Sequence, residues 1–353
     1  MTGDYFPFSN LKSGDKVLLA FSGGIDSTIA AHLCKKAGLD VLAVNMCFLP
    51  EKDNRAEVQK AADSLGIKLD FLELQQDFRN DVMLPCWRVF EKGKTPNPCA
   101  ICNPVFKFGK LMQYAVANGC KALVTGHYAK LENGTISRGT HRAKDQSYFL
   151  FRLTPEQRKF SCFPLGAMTK DQVRQLADQL GLPNAKAKES QDACFSPPDG
   201  TLAEMLQKEF SGKIRNGSFI HKETGRKLGL HQGIHAYTIG QRKGTGVALG
   251  TPAYVQKIDP GTCRIFLTTN EETLFADRLS VESVVWQTAD VPVSPFRALV
   301  QIRYRTPAAP AQVIPTGKES CDIIFDSPVR AITPGQAAVF YDDEALLGGG
   351  FIC

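Results

Sequence analysis

The sequence predicts an α/β fold, in which an amino-terminal domain with a parallel β-sheet is followed by two small β domains. Apolar strand patterns alternate with helical patterns through the first half of the 353-residue chain. A glycine-rich turn, Ser22–Ser27, joins the first strand pattern to the first helical pattern. After about Leu206, short alternating strands follow one another instead. Alternating strands and helices are typical of βαβ units, which form a parallel sheet covered by helices on both faces.

Hydrophobic periodicity and helix-ending glycines predict the elements of the first half. We expect strands at Val17–Phe21, Val41–Phe48, Lys68–Leu74 and Ala122–Tyr128 and helices at Ser27–Ala37, Asn54–Leu65, Pro104–Ala117 and Lys170–Leu180. Gly38, Gly66 and Gly119 follow three of these helices, where a glycine commonly ends a helix. Ligands of such sheets bind over the carboxyl ends of the strands, so we expect a ligand at the Ser22–Ser27 turn.

The second half predicts two β domains, which gives the domain boundaries 1–205, 206–273 and 274–353. Its strand patterns are short and separated by glycine-containing turns. Within the last domain the sequence IRYR predicts a strand. Arg303 and Arg305 are then expected on one face and Tyr304 on the other, because side chains alternate along a strand.

Composition limits the class of protein. Apolar stretches are all shorter than the roughly 20 residues that a membrane-spanning helix needs, and the first residues, MTGDYFPFSN, do not resemble a secretory signal. Eleven scattered cysteines indicate a reducing compartment, so we expect a cytoplasmic protein without membrane partners. A net charge of +6 is compatible with a polyanionic partner but does not require one.

The Ser22–Ser27 turn predicts a phosphate-binding loop. A strand that breaks at Ser-Gly-Gly and continues as a helix places backbone N–H groups at a helix N-terminus, where they hold phosphate oxygens. Gly23 and Gly24 permit close approach of the backbone. Asp26 has the chemistry to hold Mg²⁺ against a phosphate. The spacing differs from that of a Walker A loop.

Two cysteines are candidate nucleophiles because they lie in polar, loop-like surroundings. Cys102 follows a Pro-Asn-Pro turn and precedes the predicted helix at Pro104, so we expect a lowered thiol pKa at a helix N-terminus. Cys194 lies in the sequence KESQDACFSPP. Other cysteines, such as Cys34, fall in apolar or helical patterns and are expected to be buried.

The sequence SGGIDS resembles the loop of the PP-loop ATP pyrophosphatases, which have a Rossmann-like domain and adenylate an oxygen of their substrate. Further motifs make the resemblance more specific. The motifs SGGIDS, TPNPCAICN, VTGHYA, KDQSYFLFRL, FPLGAMTK, SQDACF, YTIGQRKG, IRYR and TPGQAAVFY occur in one order along the chain. In this respect the whole chain resembles the bacterial tRNA-specific 2-thiouridylase family, which forms 2-thiouridine at the wobble position of the tRNAs for Lys, Glu and Gln.

The resemblance implies roles for individual residues. It implies that ATP is bound with Mg²⁺ by Ala20, Phe21, Ser22, Gly23, Gly24, Ile25, Asp26, Ser27, Met46 and Gly126. It implies that tRNA is contacted by Asn97, Pro98, Cys99, His127, Lys144, Asp145, Gln146, Arg303, Tyr304 and Gln336. Cys194 would receive a persulfide sulfur from a sulfur-relay donor protein. Sulfide is the alternative sulfur source, which would bind to the open iron of a cluster. Cys102 would close a disulfide with Cys194 as the sulfur leaves.

The chain departs from the family at Cys99, where the family usually has Asp. Three explanations stay open. Cys99 is a neutral change, or it forms a redox pair with Cys102, or Cys99, Cys102 and Cys194 hold three corners of a [4Fe–4S] cluster. Structural zinc is disfavoured because it needs four ligands, usually from two cysteine pairs.

Two other classes of function are alternatives to sulfur transfer. In the first, a PP-loop ligase or amidase acts on tRNA with an amine nucleophile, and this chemistry needs neither Cys102 nor Cys194. In the second, the chain binds RNA without catalysis. An intact Asp26 disfavours this, because a binding protein has no use for a magnesium ligand in a phosphate loop.

Overall fold

The structure is a computed structural model that describes residues 5–49, 54–182, 194–197, 199–210 and 216–353. The chain divides into two compact units. The first consists of Met1–Asp81, Cys99–Phe195 and Glu344–Leu346, and the second consists of Val82–Pro98, Ser196–Asp343 and Leu347–Cys353. Among the described residues, none of the helices is both long and apolar enough to cross a bilayer.

The first unit contains a five-stranded parallel sheet, as the sequence predicted. The strands of this region are β1 (Lys16–Ala20), β2 (Asp40–Cys47), β3 (Lys68–Glu73), β4 (Ala122–Val124), β5 (Ala129–Glu132), β6 (Thr135–Arg138) and β7 (Ser161–Cys162). The sheet has the order β3-β2-β1-β4-β7. Val17, Leu18 and Leu19 of the central strand β1 are fully buried. This burial on both faces explains why β1 is a continuous apolar run.

Both units contain helices. They are α1 (Ile25–Lys36), α2 (Arg55–Leu65), α3 (Gln75–Phe78), α4 (Leu84–Glu91), α5 (Pro98–Cys102), α6 (Leu111–Ala117), α7 (Pro155–Lys159), α8 (Lys170–Gln179) and α9 (Leu202–Phe210). Three of these, α1, α2 and α8, confirm the helices predicted at Ser27–Ala37, Asn54–Leu65 and Lys170–Leu180. Thr169 begins α8 with a capping box, in which its hydroxyl accepts from the Gln172 N–H.

The predicted helix at Pro104–Ala117 begins six residues earlier than expected. It starts with α5 at Pro98 and reaches α6 through a π-helical segment, Asn103–Lys110. Both prolines suit the first turn of a helix, which needs no proline N–H, so the sequence alone did not distinguish them. The wider turn accommodates the second proline inside the helix, and the Leu111 N–H donates to the Phe106 carbonyl five residues back.

The predicted strand at Ala122–Tyr128 is also shorter than expected. It ends at Val124, and residues 125–128 leave the sheet as a loop. Gly126 of this loop lies against the phosphate loop, where an added Cβ would be 3.2 Å from the carbonyl carbon of Asp26. Residues 125–128 therefore do not continue the strand. Instead, the backbone of Gly126 lies close to that of Asp26 at the carboxyl edge of the sheet.

The second unit contains two β structures. Its strands are β8 (Gly217–His221), β9 (Lys227–His231), β10 (Tyr254–Asp259), β11 (Arg264–Thr268), β12 (Phe275–Trp286), β13 (Phe296–Gln301), β14 (Ala309–Gly317), β15 (Ser320–Arg330), β16 (Ala337–Asp342) and β17 (Ala345–Ile352). The first four form a sheet of order β10-β11-β8-β9. The others form a six-stranded barrel, which the pairing of β12 with β17 closes. The two predicted β structures are confirmed.

The prediction that IRYR is a strand is wrong. Strand β13 ends at Gln301, and the following residues form a turn in which the Thr306 N–H donates to the Arg303 carbonyl at 3.1 Å. Gln301 is buried, and its amide donates to the carbonyls of Arg303 (3.1 Å) and Tyr304 (2.8 Å). These hydrogen bonds replace those of a strand ladder, so the two residues are not on alternate faces of a sheet.

Candidate active site

A cavity of about 710 Å³ lies in the first unit at the carboxyl ends of β1, β2 and β4. The structure brings many of the predicted site residues together around it. These lining residues are Ala20, Phe21, Ser22, Asp26, Ser27, Met46, Gly126, His127, Gln146 and Cys194. The cavity therefore lies where the switch-point rule predicts that a ligand binds.

The Ser22–Ser27 turn has the geometry of a phosphate-binding loop. Gly23 has φ +75°, and an added Cβ would lie 3.1 Å from Cγ2 of Val58, so a side chain here would be strained and crowded. The Ser27 hydroxyl donates to the Gly24 carbonyl at 2.9 Å and lies 3.3 Å from the Ser22 hydroxyl. Helix α1 starts directly after Gly24, so its first N–H groups are available to an anion.

Asp26 is bound by two residues that come from distant parts of the chain. Its Oδ1 atom accepts from the Tyr128 hydroxyl at 2.7 Å and from the Lys170 ammonium at 2.6 Å. The Lys170 side chain is 5% exposed, whereas the Asp26 side chain is 37% exposed. The buried Lys170 ammonium thus holds the Asp26 carboxylate, and the carboxylate remains accessible from the cavity.

The environment of Asp26 fits a magnesium ion held mainly by phosphate and water. Mg²⁺ in nucleotide sites takes one or two protein carboxylates and keeps several waters. Asp26 supplies one such carboxylate beside the phosphate loop. No group of three or more His, Cys, Asp or Glu residues is arranged for a metal within the described part of the chain.

His127 is a buried, neutral side chain at the cavity. Its Nδ1 atom lies 2.6 Å from the Thr125 hydroxyl, and its ring packs between Phe108 and Phe163 at centroid distances of 5.5 and 5.8 Å. Burial lowers the His127 pKa well below its ordinary value, and the nearby charge of Lys107 lowers this pKa further. A neutral imidazole can hydrogen-bond to a base or ribose without adding charge.

This burial predicts a pH dependence of stability. The unfolded chain protonates His127 near pH 6.5, whereas the folded protein does not, so the free energy of unfolding should fall as pH decreases below that value. The contribution is at most about 1.4 kcal/mol per pH unit. Denaturant unfolding between pH 5 and 7 should show a shallower acid slope for His127→Asn than for the unchanged protein. Equal slopes would contradict the assignment.

The structure places Cys194 at the cavity and in electrostatic reach of Cys99. Cys194 is exposed. Both Cys194 and Lys107 line the cavity. Burial raises the pKa of Cys99, Cys194 raises it further, and the Lys107 ammonium opposes both effects. Cys102 is buried inside the helical run that starts at α5. The expectation that Cys102 lies at a helix N-terminus is therefore wrong, because the helix begins four residues before it.

Three residues predicted to contact tRNA follow one another after β6 and have different environments. Lys144 is half-buried. Asp145 is buried, and its carboxylate accepts from the N–H groups of Gly139 (2.9 Å) and Ser147 (3.0 Å). Gln146 lines the cavity, and its Oε1 atom accepts from the Tyr128 N–H at 3.0 Å. Because Oε1 is held in this way, the amide N–H₂ group of Gln146 is the part available to a ligand.

The remaining predicted tRNA residues lie in the second unit and mostly contact protein. Asn97 is buried and Pro98 begins α5. The Gln336 amide donates to the carbonyls of Thr95 and Pro96, and the Arg303 guanidinium donates to the Ile239 carbonyl at 2.8 Å.

Sequence reasoning missed two lysines of the cavity region, Lys107 and Lys170. Lys170 opens a helix, a position where an exposed lysine is ordinary, and only the fold brings it to Asp26. Lys107 lies in the π-helical segment, whose side-chain directions do not follow the 3.6-residue period. Lys170 ends the motif FPLGAMTK, but the motif alone does not predict the contact with Asp26.

Comparisons with known proteins cover nearly the whole chain. Family models match residues 15–198 ("tRNA methyl transferase HUP domain"), 203–269 ("tRNA methyl transferase PRC-barrel domain") and 276–352 ("Aminomethyltransferase beta-barrel domain"). A protein of Syntrophotalea carbinolica named tRNA-specific 2-thiouridylase MnmA is 40% identical over 95% of this chain and 98% of its own length. A protein of the same name from Campylobacter lari is 37% identical over 96% and 99%.

Solved structures resemble the chain more weakly. A 4-thiouridine synthetase in complex with RNA and ATP is 18% identical, with a TM-score of 0.37 over 55% of this chain and 50% of that chain. An NH₃-dependent NAD synthetase from Campylobacter jejuni is 19% identical, with a TM-score of 0.31 over 50% and 67%. Both scores are too low to indicate a shared function.

Proposed function

The chain belongs to the tRNA-specific 2-thiouridylase family, and from that premise we propose that it uses ATP to replace the 2-oxygen of a tRNA wobble uridine by sulfur. The observation that carries the proposal is that one cavity contains both the phosphate loop and Cys194. The names of the family models refer to methyl transfer, but a cysteine beside a nucleotide-activating loop fits sulfur transfer. The tRNA substrate assigns the reaction to the cytoplasm.

The first step is adenylation of the uridine. The 2-oxygen attacks the α-phosphorus of ATP and pyrophosphate leaves, which converts a poor leaving oxygen into AMP. The α1 N-terminus, Ser22 and Ser27 hold the phosphates, while Met46 and Gly126 contact the adenosine. Mg²⁺, held by Asp26, would neutralise charge on the phosphates when bound. Neutral His127 and the Gln146 amide orient the base at the mouth of the cavity.

The second step transfers sulfur. A sulfur-relay donor loads Cys194 as a persulfide, whose terminal sulfur attacks C2 of the uridine and displaces AMP. The Cys102 thiolate then attacks the Sγ atom of Cys194 and breaks the S–S bond. The sulfur stays on C2 as the thiocarbonyl, and a Cys102–Cys194 disulfide remains. A cellular thiol reductant restores both thiols, so atoms and electrons balance.

We favour this two-cysteine route over the [4Fe–4S] cluster. Among the described residues, Cys99, Cys102 and Cys194 are not arranged as a metal-binding group. Cys99 lies within electrostatic reach of Cys194. This position fits a residue that influences the thiol that carries the sulfur but does not carry sulfur itself. Iron and sulfide analysis of protein purified without oxygen should give less than about one iron per ten chains, and an absorption band near 400 nm would contradict the route.

A reconstituted reaction tests the proposed function directly. Purified protein, ATP, Mg²⁺, unmodified tRNA and a persulfide donor should give 2-thiouridine, measured by nucleoside mass spectrometry, together with one pyrophosphate per modified base. Reactions without ATP should give none. Pyrophosphate release with an amine, and unchanged turnover when Cys102 and Cys194 are both replaced by serine, would instead support the ligase alternative. Binding of tRNA without pyrophosphate release would support the RNA-binding alternative.

A further inference from the structure

Two cationic side chains of the described residues line the cavity, and their surroundings differ. Arg55 forms an ion pair with Glu73, and its guanidinium carbon lies 5.3 Å from the ring centroid of Phe71. Lys107 is half-buried at the cavity. Among the residues that the structure describes, its ammonium has neither an ion-pair partner nor a hydrogen-bond acceptor. A partly buried cation without a partner charge has lost hydration, so an anionic ligand at Lys107 would stabilise it.

The element that carries Lys107 is fixed on its amino-terminal side. Lys107 lies in the π-helical segment between α5 and α6. The Asn103 amide donates to the Phe149 carbonyl at 3.0 Å, and the Gln157 amide donates to the Pro104 carbonyl at 2.8 Å. These two hydrogen bonds hold the turn of the segment that precedes Lys107.

The two neighbours of Lys107 in the sequence are also held in place. Phe106 and Phe108 are both fully buried. The Phe108 ring packs against the rings of His127 and Phe163, at centroid distances of 5.5 and 5.8 Å. Lys107 therefore projects from a rigid part of the chain, which is what a group that stabilises developing charge requires.

The charge of Lys107 acts at the part of the cavity where the base and the sulfur are expected. It lowers the His127 pKa and opposes the rise of the Cys99 pKa, and Cys194 lines the same cavity. During adenylation the α-phosphorus lies between the phosphate loop and the uridine, because the uridine 2-oxygen attacks it. Since the proposed function has His127 orient the base, a cation near His127 is beside the α-phosphate.

We propose that Lys107 is a further catalytic residue, which binds the α-phosphate of ATP and then that of the adenylated uridine. This inference rests on the proposed function and refines it. As the bond from the uridine oxygen to phosphorus forms and the bond to pyrophosphate breaks, the ammonium stabilises the charge on the non-bridging oxygens. In the second step the C2–O bond breaks and its electron pair goes to AMP, which the same ammonium stabilises as the leaving group. Lys107 keeps its proton in both steps.

Single-turnover kinetics of Lys107→Met test the role of the charge. We expect pyrophosphate release at saturating ATP and tRNA to fall about 100-fold or more, as for removal of one donor to a developing charge. Lys107→Arg keeps a cation that binds phosphate, so its loss should be at most about tenfold. The Kd for tRNA should stay within about twofold in both variants, because the contact that is lost is to the nucleotide.

Lys110→Met is the matched control. Lys110 lies in the same π-helical segment, but its ammonium is paired with the Asp77 carboxylate at 2.6 Å. Removing it takes away one lysine without changing the charge at the α-phosphate. We expect pyrophosphate release to stay within about twofold of that of the unchanged protein, since a partly exposed ion pair contributes little.

Phosphorothioate analogues of ATP report the contact itself. Sulfur in place of one non-bridging oxygen of the α-phosphate weakens a hydrogen bond from an ammonium, so the unchanged protein should use the two ATPαS diastereomers at different rates. The ratio of these rates should change at least about threefold in Lys107→Met and stay the same in Lys110→Met. A role of Lys107 in stability alone would lower both rates by the same factor.

Two results would overturn the proposal. One is an unchanged diastereomer ratio in Lys107→Met. The other is loss of 2-thiouridine with normal pyrophosphate release, which would indicate a contact with the Cys194 sulfur instead. If thermal unfolding shows that Lys107→Met does not fold, the same ratio is measured for Lys107→Gln. Failure of the unchanged protein to release pyrophosphate with tRNA would overturn the proposed function itself.

Discussion

The Cys194→Ser variant is expected to bind ATP and tRNA normally, to release pyrophosphate, and to form no detectable 2-thiouridine. A serine hydroxyl lines the same cavity and preserves its shape, but it cannot carry a sulfane sulfur. The loss should therefore exceed about 1,000-fold, as for removal of a covalent nucleophile. Single-turnover assays with a persulfide donor and nucleoside mass spectrometry measure it.

Cys102→Ser should have a different defect, which identifies the order of events. Sulfur reaches C2, but the S–S bond to Cys194 is not broken, so a covalent tRNA–protein adduct should accumulate. Added dithiothreitol should release it as 2-thiouridine-containing tRNA. Cys353→Ser removes the other exposed thiol of the chain and serves as the matched control, with unchanged turnover expected.

Replacement of Cys99 by Asp, the residue usual in the family, should leave turnover within about threefold under the two-cysteine route. A covalent tRNA adduct formed by Cys194→Ser would contradict the two-cysteine route. Complete loss of turnover in all three cysteine variants, together with bound iron, would also contradict it.

The cavity could be predicted from the sequence because its main part is local. The phosphate loop, its strand and its helix are contiguous, and each follows from short-range rules of apolar runs, glycine turns and helix starts. The start of α5 was not predicted correctly, because Pro98 and Pro104 both suit the first turn of a helix. Only the packed structure shows that the second proline lies within a π-helical segment.

Long-range pairing explains what the sequence did not show. Lys170 meets Asp26 across 144 residues, and Gln336 meets Thr95 across 241. Arg303 was expected on one face of a strand together with Arg305, because side chains alternate along a strand. In the structure the buried amide of Gln301 holds the carbonyls of the turn, and the Arg303 guanidinium reaches other loops. Such contacts depend on the topology of the fold, which the hydrophobic periodicity of the sequence does not predict.

The second large effect is expected at Asp26. Asp26→Asn keeps the size of the side chain but removes the charge that we propose holds Mg²⁺, so ATP-dependent pyrophosphate release with tRNA should fall about 100-fold or more. The affinity for tRNA should be nearly unchanged, because Asp26 lies at the phosphate loop. Pyrophosphate release at saturating Mg²⁺ and filter binding of tRNA measure these two quantities.

The ion pair with Lys170 complicates this variant and also provides its control. Loss of the carboxylate leaves the buried ammonium of Lys170 without its partner charge, which should lower the free energy of unfolding by about 2 kcal/mol. This is less than the roughly 3–5 kcal/mol for a fully buried pair, because the Asp26 side chain is 37% exposed to screening solvent. The double variant Asp26→Asn/Lys170→Met removes both charges and should recover most of this stability. If it also recovered pyrophosphate release, Asp26 would serve the fold and not the metal. We expect stability to return and adenylation to stay lost.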